Sequence, residues 1–462
     1  MRLDHRGTGI ILAIFFFVCR IPYMIAFYPG LMIYDTASSI LQFYGYPTFA
    51  ASLSNVPGAV LTNHHGVLYT LLMGGAIRLG DLIGSQNTGF FIYILLQTLF
   101  ASAVAAYGIT VLAPHVHKAV WILAAAACGL HPLISIWTIT MSKDSLFAIV
   151  GTLLGIMLFQ VVESRGEILR RRRFLAQLVA VNVLMTFAKN VGAYILLFCA
   201  VFLLLYYRRQ WIGFLISFVL PAVLYLTVVS GLVLPAFGVA PSGRQEMFGF
   251  MFQQTARYVK EYPQDVTEEE KEAIRAILPY DELRELYNPV SQDSVKFRFH
   301  QQASSEDMKR YMKTWFSMFL KHPRPYWDAT MDITGRYFAP AKEEDLDYMP
   351  RLAGEVRLLK ENEAFDIHYS GAEEQRHSMT TTFRDMSGMP VIGLLFQRCF
   401  YVWAVMLCVV VAAVLPHKER LLFLLPYIVQ ILFLFIAPVA STRYMLLLIW
   451  SFPFMIGSMM AK

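Results

Sequence analysis

Charge is what this chain has least of: 16% of its 462 residues are Asp, Glu, Lys or Arg, against 56% that are hydrophobic. A soluble domain so poor in charge would leave large apolar patches in water, which excludes the ordinary soluble class. Cysteine is scarce too. All five, Cys19, Cys128, Cys199, Cys399 and Cys408, lie in apolar runs and no C-x-x-C pair occurs. Neither a zinc site nor a disulfide framework is indicated, and they read as packing residues. A cleavage signal is also missing. "MRLDHRGTGIILAIFFFVC" starts basic and continues apolar like a signal peptide, but no small-x-small site follows before Arg20 and Pro22, so it reads as a retained first helix. The net charge of +6 does not imply nucleic acid, because the basic residues sit mostly in short loops between apolar runs, where they set orientation.

What the chain has is apolar length. A crossing needs about 20 mostly apolar residues, since a helix rises about 1.5 Å per residue through a layer about 30 Å thick. Five runs precede the tetrabasic cluster Arg170 to Arg173: 8–28, 66–84, 90–112, 119–139 and 145–162. If all five crossed from a cytoplasmic start, that cluster would be outside, against the preference of basic loops for the cytoplasm. The run 66–84, Gly-rich and carrying Arg78 and Asp81, is the one expected to lie in the interface. With it removed, the basic loops at 115–118, 170–173, 208–209 and 417–420 all fall inside.

Later crossings follow at 174–189, 191–207, 211–238, 391–414, 421–438 and 443–460, giving ten in all with both termini cytoplasmic. The expected organisation is a transmembrane module over 1–239 with an outer loop at 29–89, an extracytoplasmic, mostly helical domain over 240–390, and C-terminal spans over 391–462. Within that domain, Thr267 with Glu270 forms a capping-box pattern, and a second helix is expected from near Ser305 to the stop at Pro323. Trp315, Phe316 and Phe319 are expected to pack inside.

Ionisable side chains at span edges cost free energy unless they meet water, a partner or a ligand. This topology puts a set of them on one face: Asp35, His64 and His65, Lys143 and Asp144, Lys189, and Arg443. Lysine and arginine at headgroup level suit a phosphate, and a nearby carboxylate suits activation of a hydroxyl. Plain structural readings stand beside these. Asp35 would N-cap the helix beginning "TASSILQFYG", Lys143 and Asp144 would form a loop ion pair, and Arg443 would snorkel to headgroups. Lys189 has no acid nearby in sequence, which points to a ligand or a distant partner. Adjacent histidines diverge, so at most one of His64 and His65 faces the site. Arg20 is expected to snorkel outward rather than meet a phosphate.

The stretches "YPGLMIYDTASSILQFYG", "NHHGVLYTLL", "TMSKDSLFAI", "AKNVGAYIL", "FQQTARYVKEYPQDVTEEEKEAI", "MKTWFSMFLKHPRPYWDA" and "STRYMLL" together resemble the GT-C class of membrane glycosyltransferases. The closer likeness is to bacterial GT-C-like proteins of uncharacterised substrate, and it covers nearly the whole chain. The resemblance implies a mainly α, polytopic GT-C-like fold and a polyprenyl-phosphate-linked sugar donor. It implies an extracytoplasmic glycan, glycolipid or polymer as acceptor, with membrane lipids around the protein and no nucleic acid. Asp35 would be the catalytic base and Asp144 a support for acceptor or metal; magnesium or manganese is the candidate cation. Lys143, Lys189 and Arg443 would hold the donor phosphate, with His64 and His65 contacting donor or acceptor. Gly66 stands where such proteins commonly have proline, and Asp35 lacks the second acid of "DE" relatives, which counts against a metal. Two other classes stay open: a lipid or polymer transporter, and a lipid-headgroup phosphotransferase.

Overall fold

The computed structural model describes residues 5–342, 345–350, 359, 361–414 and 418–461. About three-quarters of the chain is helical, with almost no strand among the described residues, so the mainly α class is met. Among the described residues, four helices are long and apolar enough to cross a membrane: Gly7–Ala26, Gln86–His115, Lys143–Glu163 and Arg208–Ala236. A bent pair, Lys118–Leu130 with Pro132–Thr138, makes a fifth if counted as one span. Leu123, Leu205, Leu232 and Val410 lie exposed on these and neighbouring helices, as side chains meeting lipid do. Several other expected crossings are short helices, such as Arg172–Ala188 with 17 residues and Val191–Tyr206 with 16. The expected interfacial run forms the helix Val67–Leu82.

Lys143–Glu163 is the central helix, with 83% of its apolar window buried. Gly155 on it allows Tyr427 to approach so closely that a Cβ there would lie 1.9 Å from the phenol oxygen. The cysteines carry no disulfide and all but Cys19 are buried in these helices, as packing residues would be. Arg20 neither snorkels nor stays open for a phosphate. It is 2% exposed and donates to the carbonyls of Cys128 and Gly129, each at 2.5 Å, which the 50° bend of the pair leaves without helical partners.

A second hydrophobic core lies within residues 251–329, built on Phe252, Tyr258, Ile277, Tyr311 and Met318; this is the cap. Its helices start as the sequence indicates: Thr267 and Glu270 close a capping box before Glu268–Arg275, and Ser304 with Asp307 closes another before Ser305–Lys321. Phe316 does not pack inside but is 54% exposed, because that helix buries only Met308, Tyr311 and Met318. Tyr337, Phe365, Ile367 and Phe383 belong to the larger core, so the interval 240–390 contributes to both.

Candidate functional site

Two short strands place the acids. β1 (Leu31–Met32) runs parallel to β2 (Thr140–Met141), Leu31 facing Thr140 and Met32 facing Met141. Gly30, at φ +143°, lets the chains meet: a Cβ there would come within 2.6 Å of Ile94 and 3.3 Å of the Ile139 carbonyl. Gln97, buried, steadies the loop before and within β2 by donating to the carbonyls of Thr138 at 2.7 Å and Thr140 at 2.9 Å. Each strand turns into a helix, Tyr34–Phe43 after β1 and Lys143–Glu163 after β2. Three residues beyond each methionine stands an acid in the first helical turn, Asp35 and Asp144, where the helix dipole favours negative charge. Asp35 is not the cap of its helix. The cap position is Ile33, which offers no side-chain bond, whereas Ser142 caps the other helix by accepting from the Asp144 amide at 3.1 Å.

Around Asp35 converge groups from three distant segments. Its Oδ2 lies 2.9 Å from Lys143 Nζ, 3.1 Å from an Arg443 guanidinium nitrogen and 3.6 Å from His65 Nδ1. Lys143 therefore pairs across the fold with Asp35 rather than with its neighbour Asp144. Asp144 takes Lys189 instead, Oδ1 to Nζ at 2.6 Å, so the distant partner of Lys189 is an acid. Arg443 is no headgroup anchor either, since it binds Asp35 and gives a second bond to the Tyr444 hydroxyl at 3.0 Å.

Tyr444, unmarked by the sequence reading, links the two pairs: Lys189 Nζ is 5.0 Å and the Arg443 guanidinium carbon 4.9 Å from its ring centroid. Its only sequence signal was its place after Arg443. Thr36 and Tyr69 were missed as well. The Thr36 hydroxyl bonds the Met141 carbonyl and lies 2.7 Å from the Tyr69 hydroxyl, fixing the first turn of the Asp35 helix against β2.

Burial alone would raise the Asp35 carboxyl, but Arg443 and then Lys143 outweigh it and hold it well below the usual carboxylate range. Burial, with Lys143 beside it, pushes the His65 imidazole well below its ordinary value, so the ring is neutral. The Lys143 ammonium has only protons to give, so His65 Nδ1 accepts from it at 3.0 Å and the ring proton sits on Nε2. That Nε2 and Asp144 Oδ2 have no hydrogen-bond partner among the described residues. His64 turns away, its Nδ1 lying 3.2 Å from the Ser242 hydroxyl.

Three cations thus face two carboxylates, and with His65 neutral the cluster carries one positive charge in excess. Of its surroundings, Arg398 is matched by Asp347, and Lys296 sits between Glu246 and Asp293. The segment leading into the cap holds one of the loops that feed the site, and the cap itself holds the other. Asn63 donates to the Ala240 carbonyl at 2.9 Å beside His64, while Gln292 donates to the carbonyls of Pro438 at 2.9 Å and Ala437 at 3.0 Å ahead of Arg443. No group of three or more His, Cys, Asp or Glu side chains that could hold a metal comes together among the described residues.

Fold and site define a mainly helical, membrane-associated protein with a buried, cation-rich carboxylate cluster. The chain belongs to a family described as "Family of unknown function (DUF6020)", which it matches over residues 32–462. No curated protein matches it.

Proposed function

We propose that the protein is a GT-C-like inverting glycosyltransferase of about ten crossings, with both termini cytoplasmic and its site on the extracytoplasmic face of the cell membrane. It moves a sugar from a polyprenyl phosphate to a hydroxyl of a glycan, glycolipid or cell-wall polymer. One observation carries this reading: Asp35, partly open at 14% side-chain exposure, is bracketed by Lys143 and Arg443 in a cluster with positive charge to spare. Such a cluster suits a phosphate ester, with Arg443 presenting a fork and Lys143 a point charge.

Held by two cations, the Asp35 carboxylate is a weak base. A donor phosphate that draws Lys143 and Arg443 onto its own oxygens relieves that hold and raises the basicity of Asp35 as the acceptor arrives. The acceptor oxygen then attacks the anomeric carbon while its proton passes to Asp35. The bond from that carbon to the phosphate oxygen breaks, the electron pair leaving on the phosphate, which Lys143 and Arg443 stabilise. The products are a glycoside with inverted configuration and the polyprenyl phosphate. The Nε2–H of His65, without a partner among the described residues, is a further donor for a phosphate or sugar oxygen.

A transporter would be expected to carry its ionisable groups near mid-span, whereas here they gather at helix ends. Purified protein in proteoliposomes, incubated with polyprenyl-phosphate sugars and a glycolipid acceptor, is expected to release lipid phosphate and yield an acceptor heavier by one sugar. An acceptor heavier by a phosphate group would replace this reading with headgroup phosphotransfer, and solute uptake without any product would replace it with transport.

A further inference from the structure

Arg443 reaches Asp35 from a loop that supplies little support of its own. Ser441 occupies the N-terminal cap of the turn Thr442–Met445, yet its side chain makes no cap bond to that turn. The missing acceptor comes from a remote segment. Both oxygens of Asp347 lie within hydrogen-bond reach of the Thr442 amide, at 2.9 and 3.0 Å, and they also accept from the hydroxyls of Ser441 and Thr442, each at 2.6 Å. Arg398, 3% exposed, fixes that carboxylate from the other side at 2.6 Å and bonds the Asp345 carbonyl at 3.3 Å. The next residue ties the segment to the opposite half of the site, because the Tyr348 carbonyl accepts from the Trp137 indole at 3.1 Å, three residues before β2.

We propose that Asp347 is a positioning residue, a cap supplied in trans that fixes the backbone from which Arg443 reaches Asp35. Three donors on two consecutive residues, one an amide shared between both oxygens, leave that backbone little freedom, and their carboxylate acceptor makes these bonds stronger than bonds between neutral groups. Asparagine at this place has the same shape but turns an amide donor toward donors, so it loosens the turn without emptying the space. For phosphate binding the proposal rests on the reading of Arg443 given above; for the geometry of the turn it does not.

The test uses the full-length protein in nanodiscs, with farnesyl phosphate as probe. Asp347→Asn is expected to weaken its binding about tenfold and Asp347→Glu to restore part of the loss. In an Arg443→Ala background, Asp347→Asn is expected to change the affinity less than about twofold, since Asp347 acts only through Arg443. Independent, multiplying losses would overturn the proposal. Thr442→Val, which deletes one of the three donors, is expected to act in the same direction more weakly, and it serves if Asp347→Asn does not fold.

If the wild-type protein fails to bind farnesyl phosphate, the phosphate reading of Arg443 falls, and the positioning role is judged by chemistry alone. With the native cysteines replaced, the thiol of Arg443→Cys is expected to react with iodoacetamide several-fold faster when Asp347→Asn is added. An unchanged rate would overturn the proposal.

Discussion

Asp35 and Asp144 occupy matching places, three residues past facing ladder residues and in the first turn of a helix, yet their surroundings differ in kind. Asp144 has 1% of its side chain exposed and holds one lysine at 2.6 Å, while Asp35 keeps 14% open and divides its attraction between Lys143 and Arg443. A closed pair with a single partner is a fastening: breaking it leaves a buried charge uncompensated. A carboxylate shared by two cations and touching solvent has partners that can be redistributed. The same backbone device therefore sets two acids in different company, one enclosed with a single lysine and one partly open between two cations.

The largest effect that would sharpen this contrast is on turnover. Asp35→Asn is expected to lower sugar transfer by about a thousandfold while the variant still folds, its melting temperature in detergent lowered by the ion pairs it gives up. An Asp144→Asn variant equally inactive and equally stable would erase the distinction. Next in size is stability: Lys189→Met is expected to cost about 3 kcal/mol in unfolding assays, and adding Asp144→Asn to recover much of it, since the second change removes the stranded charge.

Acidity separates the two sides further. The depressed His65 value means that the folded state takes up fewer protons than the unfolded state once pH falls below the ordinary 6.5. Stability is therefore full above that pH and declines below it, by at most about 1.4 kcal/mol per pH unit, and His65→Gln should flatten the decline in melting temperature. Asp35, held low, keeps its ion pairs above the ordinary 3.8 and loses their contribution only as pH falls from there toward its own lower value. Smallest of all, Ser142→Ala should cost about 1 kcal/mol through the lost cap. No such loss is available at Ile33, its counterpart on the other helix.

Much of this was legible from residue order. Capping residues mark the cap helices because Thr267 and Ser304 satisfy amides only a turn away, a purely local matter. The seven ionisable residues of the site stood out because apolar neighbours make any charge conspicuous. Their pairing was not legible. Lys143 and Asp144 are adjacent, but neighbours on a helix point about 100° apart, so each turned to a partner from another segment. Asp35 resembled a cap because the first helical residue is hard to place when a strand of two residues precedes it. Asp347 gave no signal, since its worth lies in two residues 94 and 95 positions away. Phe316 was misjudged since an apolar residue on an amphipathic helix does not show how wide the covered face is.

Main-chain groups pair the strands Leu31–Met32 and Thr140–Met141, and the side chains of Gln97 and Thr36 brace them, so side-chain substitutions away from Gly30, Gln97 and Thr36 are expected to leave the register standing. A change in chain length is another matter. One residue added between Met32 and Asp35 would swing the acid about 100° around its helix and away from Lys143 and Arg443. The same addition at Gly58, where a Cβ would meet nothing within 4 Å, falls on open space. The ladder works as the zero mark of a ruler, and the charge cluster is protected by a count of residues as much as by their kind.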